Sequence, residues 1–342
     1  MAEPELTICI CVRDGEAHLD RCLESLLPQA ADGRVPVVVV DHLSRDATPE
    51  QLRAWALRAG GRVRVSRFEG DSLAGARNHA WRHASTPWVA FVDVDCKLEP
   101  GWVKAALADI KEHGPDVRCA GFGGGTSIPA ERTRIYRSYS IFLSTYIGGH
   151  DSILNRRVIR RERVDHVPTL NVVYRRSALE AIRGFREVFV RVGEDIDLSH
   201  RLHQSGFELW SAPGMQVEHA LRPSLLTWMR NMFLYGRGRL FFIRQNPGSF
   251  ELKFALPVAV VLAYLGAFVT DVLWLRPPVG LPTLSLMHAF AGGLAILPET
   301  LRQREGLATW LLATVMLWIT HLAYGAGFLR ETLSDRKKFV IS

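Results

Sequence analysis

The stretch Trp88-Val89-Ala90-Phe91-Val92-Asp93-Val94-Asp95 decides the fold. Its five apolar residues suit a buried strand, and two carboxylates follow at spacing i, i+2. On a strand, that spacing turns both side chains to one face. In an open α/β sheet, ligands gather at the carboxyl ends of the strands. Paired carboxylates at such an end suit a hard divalent cation, Mg²⁺ or Mn²⁺, that itself holds a phosphate. The plainer alternative is a strand-to-turn junction whose aspartates cap backbone amides. The pattern is short, so its surroundings have to decide.

Upstream, the apolar run Leu6–Val12 ends in Arg13-Asp14-Gly15-Glu16, a strand, a turn and a helix start with Asp14 as N-cap. Leu19, Cys22, Leu23, Leu26 and Leu27 follow at helical spacing. The β-branched run at 35–40 suits a strand covered on both faces and ends at Asp41. Thr48, Pro49 and Gln51 predict a capping box at the next helix, which Gly60-Gly61 closes. Val63–Val65 is a third strand, and residues 73–84 form a helix carrying Gly75-Ala76-Arg77-Asn78. This alternation predicts a doubly wound, mostly parallel α/β sheet. Its strand ends at Val12, Asp41 and Asp93 converge on one edge, the geometry of a nucleotide site. No G-x-G-x-x-G or G-x-x-x-x-G-K-[ST] is present, so neither a dinucleotide site nor a P-loop is indicated.

Downstream, Phe122-Gly123-Gly124-Gly125 is expected to be a turn, and residues 133–167, with a basic segment at 156–163, show no clear period. The pattern sharpens over 171–185, and Gly193-Glu194-Asp195-Ile196-Asp197 then opens a helix that Gly206 closes. Leu198 and Leu202 repeat at i, i+4, and Asp195 is expected on their inward side. Glu194 and Asp197 suit an acidic first turn that complements the helix dipole.

The formal net charge of +7 favours an anionic partner, but the arginines are scattered and no nucleic-acid motif occurs, so nucleic acid is not expected. The five cysteines all lie within the first 119 residues, and their odd number and spacing argue against a disulfide framework and for a reducing cytosol. No signal-peptide pattern is read at the start. In the last third, residues 254–275 hold no Lys or Arg, and 307–329 hold no formal charge. Both are long enough to cross a bilayer, which buried core helices seldom match. A weaker candidate at 279–297 is interrupted by Pro282. Two domains are therefore expected: 1–250, catalytic, and 251–342, a membrane region of two or three hydrophobic helices with a basic tail (Arg330, Arg336, Lys337, Lys338). Keeping that tail inside favours two crossings, with 279–297 re-entrant or interfacial.

Five segments together carry a resemblance: Ile10–Glu16, Val39–Asp46, Gly75–Asn78, Asp93–Asp95 and Glu194-Asp195. In order and spacing they are similar to the successive motifs of family 2 glycosyltransferases, over about residues 6–240. The tail, preceded by Tyr235-Gly236-Arg237-Gly238-Arg239, resembles the membrane-anchored, succinoglycan-type (ExoA-like) bacterial branch. The resemblance implies a GT-A fold and a nucleotide-diphosphate sugar donor bound by Val12, Asp41, Arg77, Asp93 and Asp95. It implies Mg²⁺ or Mn²⁺ on Asp95 and His219, Asp195 as catalytic base, and Asn171, Glu194, Arg237 and Arg239 near the acceptor or diphosphate. Cys11 stands where the family usually has Pro, Leu43 replaces the Gly of its D-x-G-S turn, and Cys96 replaces a common third acidic residue. The implied activity is inverting transfer to a polyprenyl-linked glycan, in exopolysaccharide or cell-envelope synthesis, at the cytosolic face of the inner membrane. Alternatives are transfer to polyprenyl phosphate itself, or an inactive sugar-nucleotide-binding scaffold subunit.

Overall fold

The computed structural model describes residues 5–31, 35–127, 133–149, 157–220, 224–274, 277–334 and 339. Tail residues Arg336, Lys337 and Lys338 and the basic residue Arg156 lie outside the described residues. In chain order the elements are β1 (Leu6–Val12), α1 (Leu19–Leu26), β2 (Val37–Asp41), α2 (Thr48–Arg58), β3 (Val63–Arg67), α3 (Leu73–Arg82) and β4 (Trp88–Val92). Next come β5 (Cys96–Leu98), α4 (Trp102–His113), β6 (Cys119–Ser127), α5 (Arg134–Ser144), α6 (Tyr146–Gly149), β7 (Asn171–Arg175), α7 (Arg176–Ala181), α8 (Glu194–Gln204) and β8 (Glu208–His219). Four long helices close the chain: α9 (Leu225–Gln245), α10 (Leu256–Leu273), α11 (Gly280–Arg302) and α12 (Leu307–Thr332).

The chain divides into two compact units, one of residues 1–129, 152–220 and 342, the other of 130–151 and 221–341. The first is built on one sheet of order β3-β2-β1-β4-β7-β6-β8-β5. Its β3, β2, β1 and β4 run parallel, whereas β7 is antiparallel to both its neighbours and β5 to β8. The sheet is therefore mixed. Leu6, Ile8 and Ile10 of β1 enter one hydrophobic cluster while Cys9 and Cys11 enter another, so helices cover both faces. Strand order reverses between β1 and β4, and that crevice is where open sheets hold ligands.

The expected turn at Phe122–Gly125 is instead the middle of β6. Glycine has little strand propensity, but a Cβ at Gly124 would collide with the Met215 carbonyl and the Asn171 amide. The expected capping box also gives way to longer-range bonds. Thr48 Oγ1 accepts from Gly15 N–H at 2.9 Å, and Gln51 Nε2 donates to the Glu16 carbonyl. Asp14, at φ 54°, accepts from Arg45 N–H at 2.7 Å instead of capping α1.

In the second unit, three helices (Leu252–Leu273, Gly280–Arg302 and Leu307–Thr332) are long and apolar enough to cross a membrane. Pro282 does not break α11, because it falls in the first turn, where its missing N–H has no partner to lose. Pro257 of α10 lies against Gly325 of α12, and Tyr264 accepts from Trp318 Nε1 at 2.7 Å, so α10 and α12 run antiparallel. By the same test α11 opposes α10 through Asp271–Gly280 and Tyr264–His288, and opposes α12 through Gly293–Trp310 and His288–His321. The helix α9 packs along α12 in the parallel sense, with Trp228 near its start donating to Thr320 and Arg244 near its end donating to the Glu331 and Ser334 carbonyls, while Gly236 and Gly327 lie against the facing backbone. Small residues there let the two backbones meet.

Candidate active site

The parallel strands deliver Val12, Asp41 and Asp93 to one edge of the first unit. Val12 is buried and offers its carbonyl to His42 N–H at 2.7 Å. Asp41 is buried, and its Oδ1 caps Ser44 N–H at 3.1 Å. Between them Leu43 takes φ 56°, the left-handed conformation that glycine adopts freely. His42 bonds the Gly70 carbonyl at 2.9 Å, and burial holds its ring below the usual histidine range.

Asp93 and the α8 carboxylates are joined by one side chain. Arg77 of α3, with only 4% of its side chain exposed, donates through Nη2 to Asp93 Oδ1 at 3.1 Å and through Nη1 to Glu194 Oε1. The α3 sequence makes this reach feasible, since Gly75 and Ala76 keep the helix close to the sheet beside a long arginine. Burial works against the Arg77 charge, but Asp93 and Glu194 outweigh it and raise its pKa. Burial also pushes Glu194 up to about 7 against the pull of Arg77, with Asp195 adding repulsion. Asp93 is raised by burial, opposed by Arg77 and reinforced by Asp95.

The helix α8 turns the other way from expectation at its first residues. Glu194 and Asp197 are the buried carboxylates, and Asp195 is half-buried at the rim. Asp197 is held by Arg201 at 2.7 Å and Arg186 at 3.1 Å, a structural set. Asp195 Oδ1 accepts from its neighbour Ile196 N–H at 2.8 Å, and Oδ2 lies 3.4 Å from His166 Nε2. Burial works upward on Asp195, but His166 and Arg77 outweigh it and hold the carboxyl below its ordinary range. Sequence patterning gave no sign of His166, which lies in the unpatterned stretch before β7.

Asp95 lies just beyond β4, with its Oδ2 3.3 Å from His219 Nε2. The β5–β8 pairing sets Cys96 directly opposite His219. Ligand atoms of Asp95, Cys96 and His219 all lie within 4.8 Å of one another, a donor set that fits one divalent cation.

The other sequence candidates lie elsewhere. Asn171 is 1% exposed and its amide is fully engaged, accepting from Trp102 Nε1 at 2.8 Å and donating to the Gly125 and Met215 carbonyls. It knits the sheet beneath the site. Arg237 belongs to the second unit, where it pairs with buried Glu331 at 2.9 Å and stacks on Phe339. Arg239, in the same unit, stacks on Phe254 at 4.2 Å.

Comparison with known proteins agrees with this geometry. The sequence pattern of Glycosyl transferase family 2 matches residues 7–183, taking in β1 through β7. The chain is 26% identical over 317 residues to the succinoglycan biosynthesis protein ExoA of Rhizobium meliloti (strain 1021), covering 86% of this chain and 92% of that protein. It is 24% identical over 341 residues to the glycosyltransferase AglE of Haloferax volcanii, covering 98% of each. The mannosyltransferase PcManGT from Pyrobaculum calidifontis, solved in complex with GDP-Man and Mn²⁺, matches with a TM-score of 0.57 at 18% identity, over 98% of this chain and 89% of that one. GalNAc-T7, solved with UDP, GalNAc and Mn²⁺, matches with a TM-score of 0.54 at 16% identity, over 75% of this chain and 51% of that one. At those identities the structures speak for the GT-A fold. With the strand-end carboxylates and the Arg77 clamp inside the matched pattern or beside it, the chain belongs to glycosyl transferase family 2 and is a glycosyltransferase.

Proposed function

We propose that this glycosyltransferase moves a sugar from a nucleotide-diphosphate sugar to a hydroxyl of a polyprenyl-linked glycan, with inversion at the anomeric carbon. The observation that carries the reading is the Arg77 bridge. It ties Asp93, two residues before the cation ligand Asp95, to Glu194, one residue before Asp195, so the donor and acceptor carboxylates face one crevice. In this reading Asp41 meets the nucleotide base and Asp93 the ribose or sugar. A divalent cation, Mg²⁺ or Mn²⁺, held by Asp95 and His219 would neutralise charge on the leaving diphosphate. Asp195, kept ionised by its surroundings, accepts the acceptor hydroxyl's proton as that oxygen attacks the anomeric carbon. His166 orients the base. A direct displacement needs no enzyme nucleophile, and inversion follows.

The reading extends to place. Apolar helices suit a membrane anchor for an enzyme whose acceptor is a lipid, and a nucleotide-sugar donor puts the catalytic unit on the cytosolic side of the inner membrane. Exopolysaccharide or related envelope glycan synthesis is the proposed setting, supported by the similarity to the ExoA protein. The test is to incubate membranes bearing the protein with a panel of radiolabelled nucleotide sugars and lipid-linked acceptors. Label entering the lipid fraction with one donor supports the reading. Label released only as free sugar from every donor would refute it.

A further inference from the structure

The cation site offers a sulfur atom beside its carboxylate and imidazole. Cys96 is 1% exposed, begins β5, and stands opposite His219 in the antiparallel register, so the two side chains share a face. Its Sγ lies 4.0 Å from Asp95 Oδ1, while His219 Nε2 lies 3.3 Å from Asp95 Oδ2. Tetrahedral zinc with bond lengths of about 2.0–2.3 Å needs ligand atoms about 3.3–3.6 Å apart. The imidazole and the thiol face different oxygens of Asp95, the nitrogen at that distance and the sulfur slightly beyond it. One ligand atom from each of the three residues lies within 4.8 Å of the others, so a turn of the carboxylate with a small closing movement completes the set. A second His–carboxylate grouping on α4 (Asp109, Glu112, His113) has no such room, because the Arg161 guanidinium pairs with both its carboxylates.

We infer that Asp95, Cys96 and His219 form a nitrogen–oxygen–sulfur site that captures a soft tetrahedral divalent cation of the zinc class, in competition with the hard cation of the transfer reaction. A thiol adds little to Mg²⁺, which demands octahedral oxygen ligation, but a thiolate is a preferred ligand for zinc. On binding, the Cys96 thiol releases its proton to water and the sulfur donates to the metal. Asp95 and His219 retain some exposure, so the fourth position opens to solvent. Zinc so held would not offer the diphosphate the coordination that Mg²⁺ or Mn²⁺ does. The inference rests on the reading of Asp95 and His219 as cation ligands, and the experiment separates the two.

The full chain, purified in detergent and stripped of metal, is titrated with Co²⁺ as a spectroscopic stand-in for Zn²⁺, with Mn²⁺ binding followed in parallel by electron paramagnetic resonance. The wild type should develop a sulfur-to-cobalt charge-transfer band that Zn²⁺ bleaches. In Cys96→Ser the band should vanish and Zn²⁺ affinity fall at least tenfold, while Mn²⁺ affinity stays within threefold. The wild-type spectrum needs no variant to fold. Mn²⁺ binding with no charge-transfer band would overturn the sulfur ligand and leave the Asp95–His219 reading intact. Binding of neither cation would sink both, and a band persisting in Cys96→Ser would assign it to another cysteine and refute the inference.

Discussion

His166 Nε2 stands 3.4 Å from Asp195 Oδ2, at the opening of α8. The contact holds one carboxylate oxygen toward the imidazole while the other is tied to Ile196 N–H. Asp195→Asn keeps the shape but cannot take a proton. Transfer to a hydroxyl acceptor should fall by roughly 10²- to 10⁴-fold, the usual scale for loss of a general base. Donor binding, measured by calorimetry in the same preparation, should stay near normal. Transfer within a few-fold of the parent would mean that Asp195 is not the base and that a phosphate acceptor, already anionic, is the better reading.

The proposed cation ligands make a separate prediction. Asp95→Ala removes the carboxylate that would join the metal to the protein, and turnover should be lost. His219→Ala should weaken metal affinity without unfolding the unit, because the strand pairing of β5 with β8 rests on backbone bonds. Transfer that runs at full rate in EDTA would remove both assignments.

Glu194 gives a pH dependence whose sign is set by burial. Its pKa is raised from 4.5 to about 7 in the folded chain, so between those values the native state holds a proton that the unfolded chain has lost. Stability from this group is full below the lower value and is lost as pH rises through the upper one. Thermal unfolding compared at about pH 5 and about pH 8 should show a fall that Glu194→Gln lessens. An unchanged slope in the variant would assign the proton elsewhere.

Leu43 sits at φ 56° in the turn after Asp41, and its side chain is only half-buried. A left-handed residue with a Cβ costs roughly 1–2 kcal/mol, and glycine returns about 0.5–1 kcal/mol of that through the entropy of the unfolded chain. Leu43→Gly should therefore stabilise the first unit by about 0.5–1 kcal/mol. A lower unfolding midpoint would show that Leu43 packing outweighs the strain.

Much of this was legible in the chain itself, for identifiable reasons. The runs at β1, β2 and β4 are continuous and apolar, and each ends at the edge that forms the site, so the parallel half of the sheet follows from local pattern. The β6 strand did not, because Phe122-Gly123-Gly124-Gly125 needs a glycine at 124 for the sake of neighbours at Met215 and Asn171, far along the chain. Thr48 and Gln51 fit a capping box locally, yet the 13–16 loop competes for both across more than thirty residues. Likewise the local pattern makes Glu194 a dipole-complementing acid, because the Arg77 that pairs with it lies 117 positions away.

The last prediction concerns topology. Three helices that each crossed the bilayer in turn would leave α10 and α12 parallel, but Pro257 meets Gly325 and Tyr264 meets Trp318, the antiparallel pairing. The helix α11 opposes both of them, and three rods cannot all be mutually antiparallel, so one lies steeply inclined. We expect that one to be α11, whose mean hydropathy of 1.4 is the lowest of the three and which carries Pro298 and Glu299 near its end. On that expectation the chain crosses through α10 and returns through α12, and the contact of Pro257 with Gly325 sets the last part of α12 beside the start of α10. In that arrangement Arg330 is expected on the side from which α10 enters, as the positive-inside rule favours for the cytosol. A fluorescent reporter fused after Ser342 should therefore light up in the cytosol. Periplasmic phosphatase activity from the same fusion point would establish an odd number of crossings and refute the inclined α11.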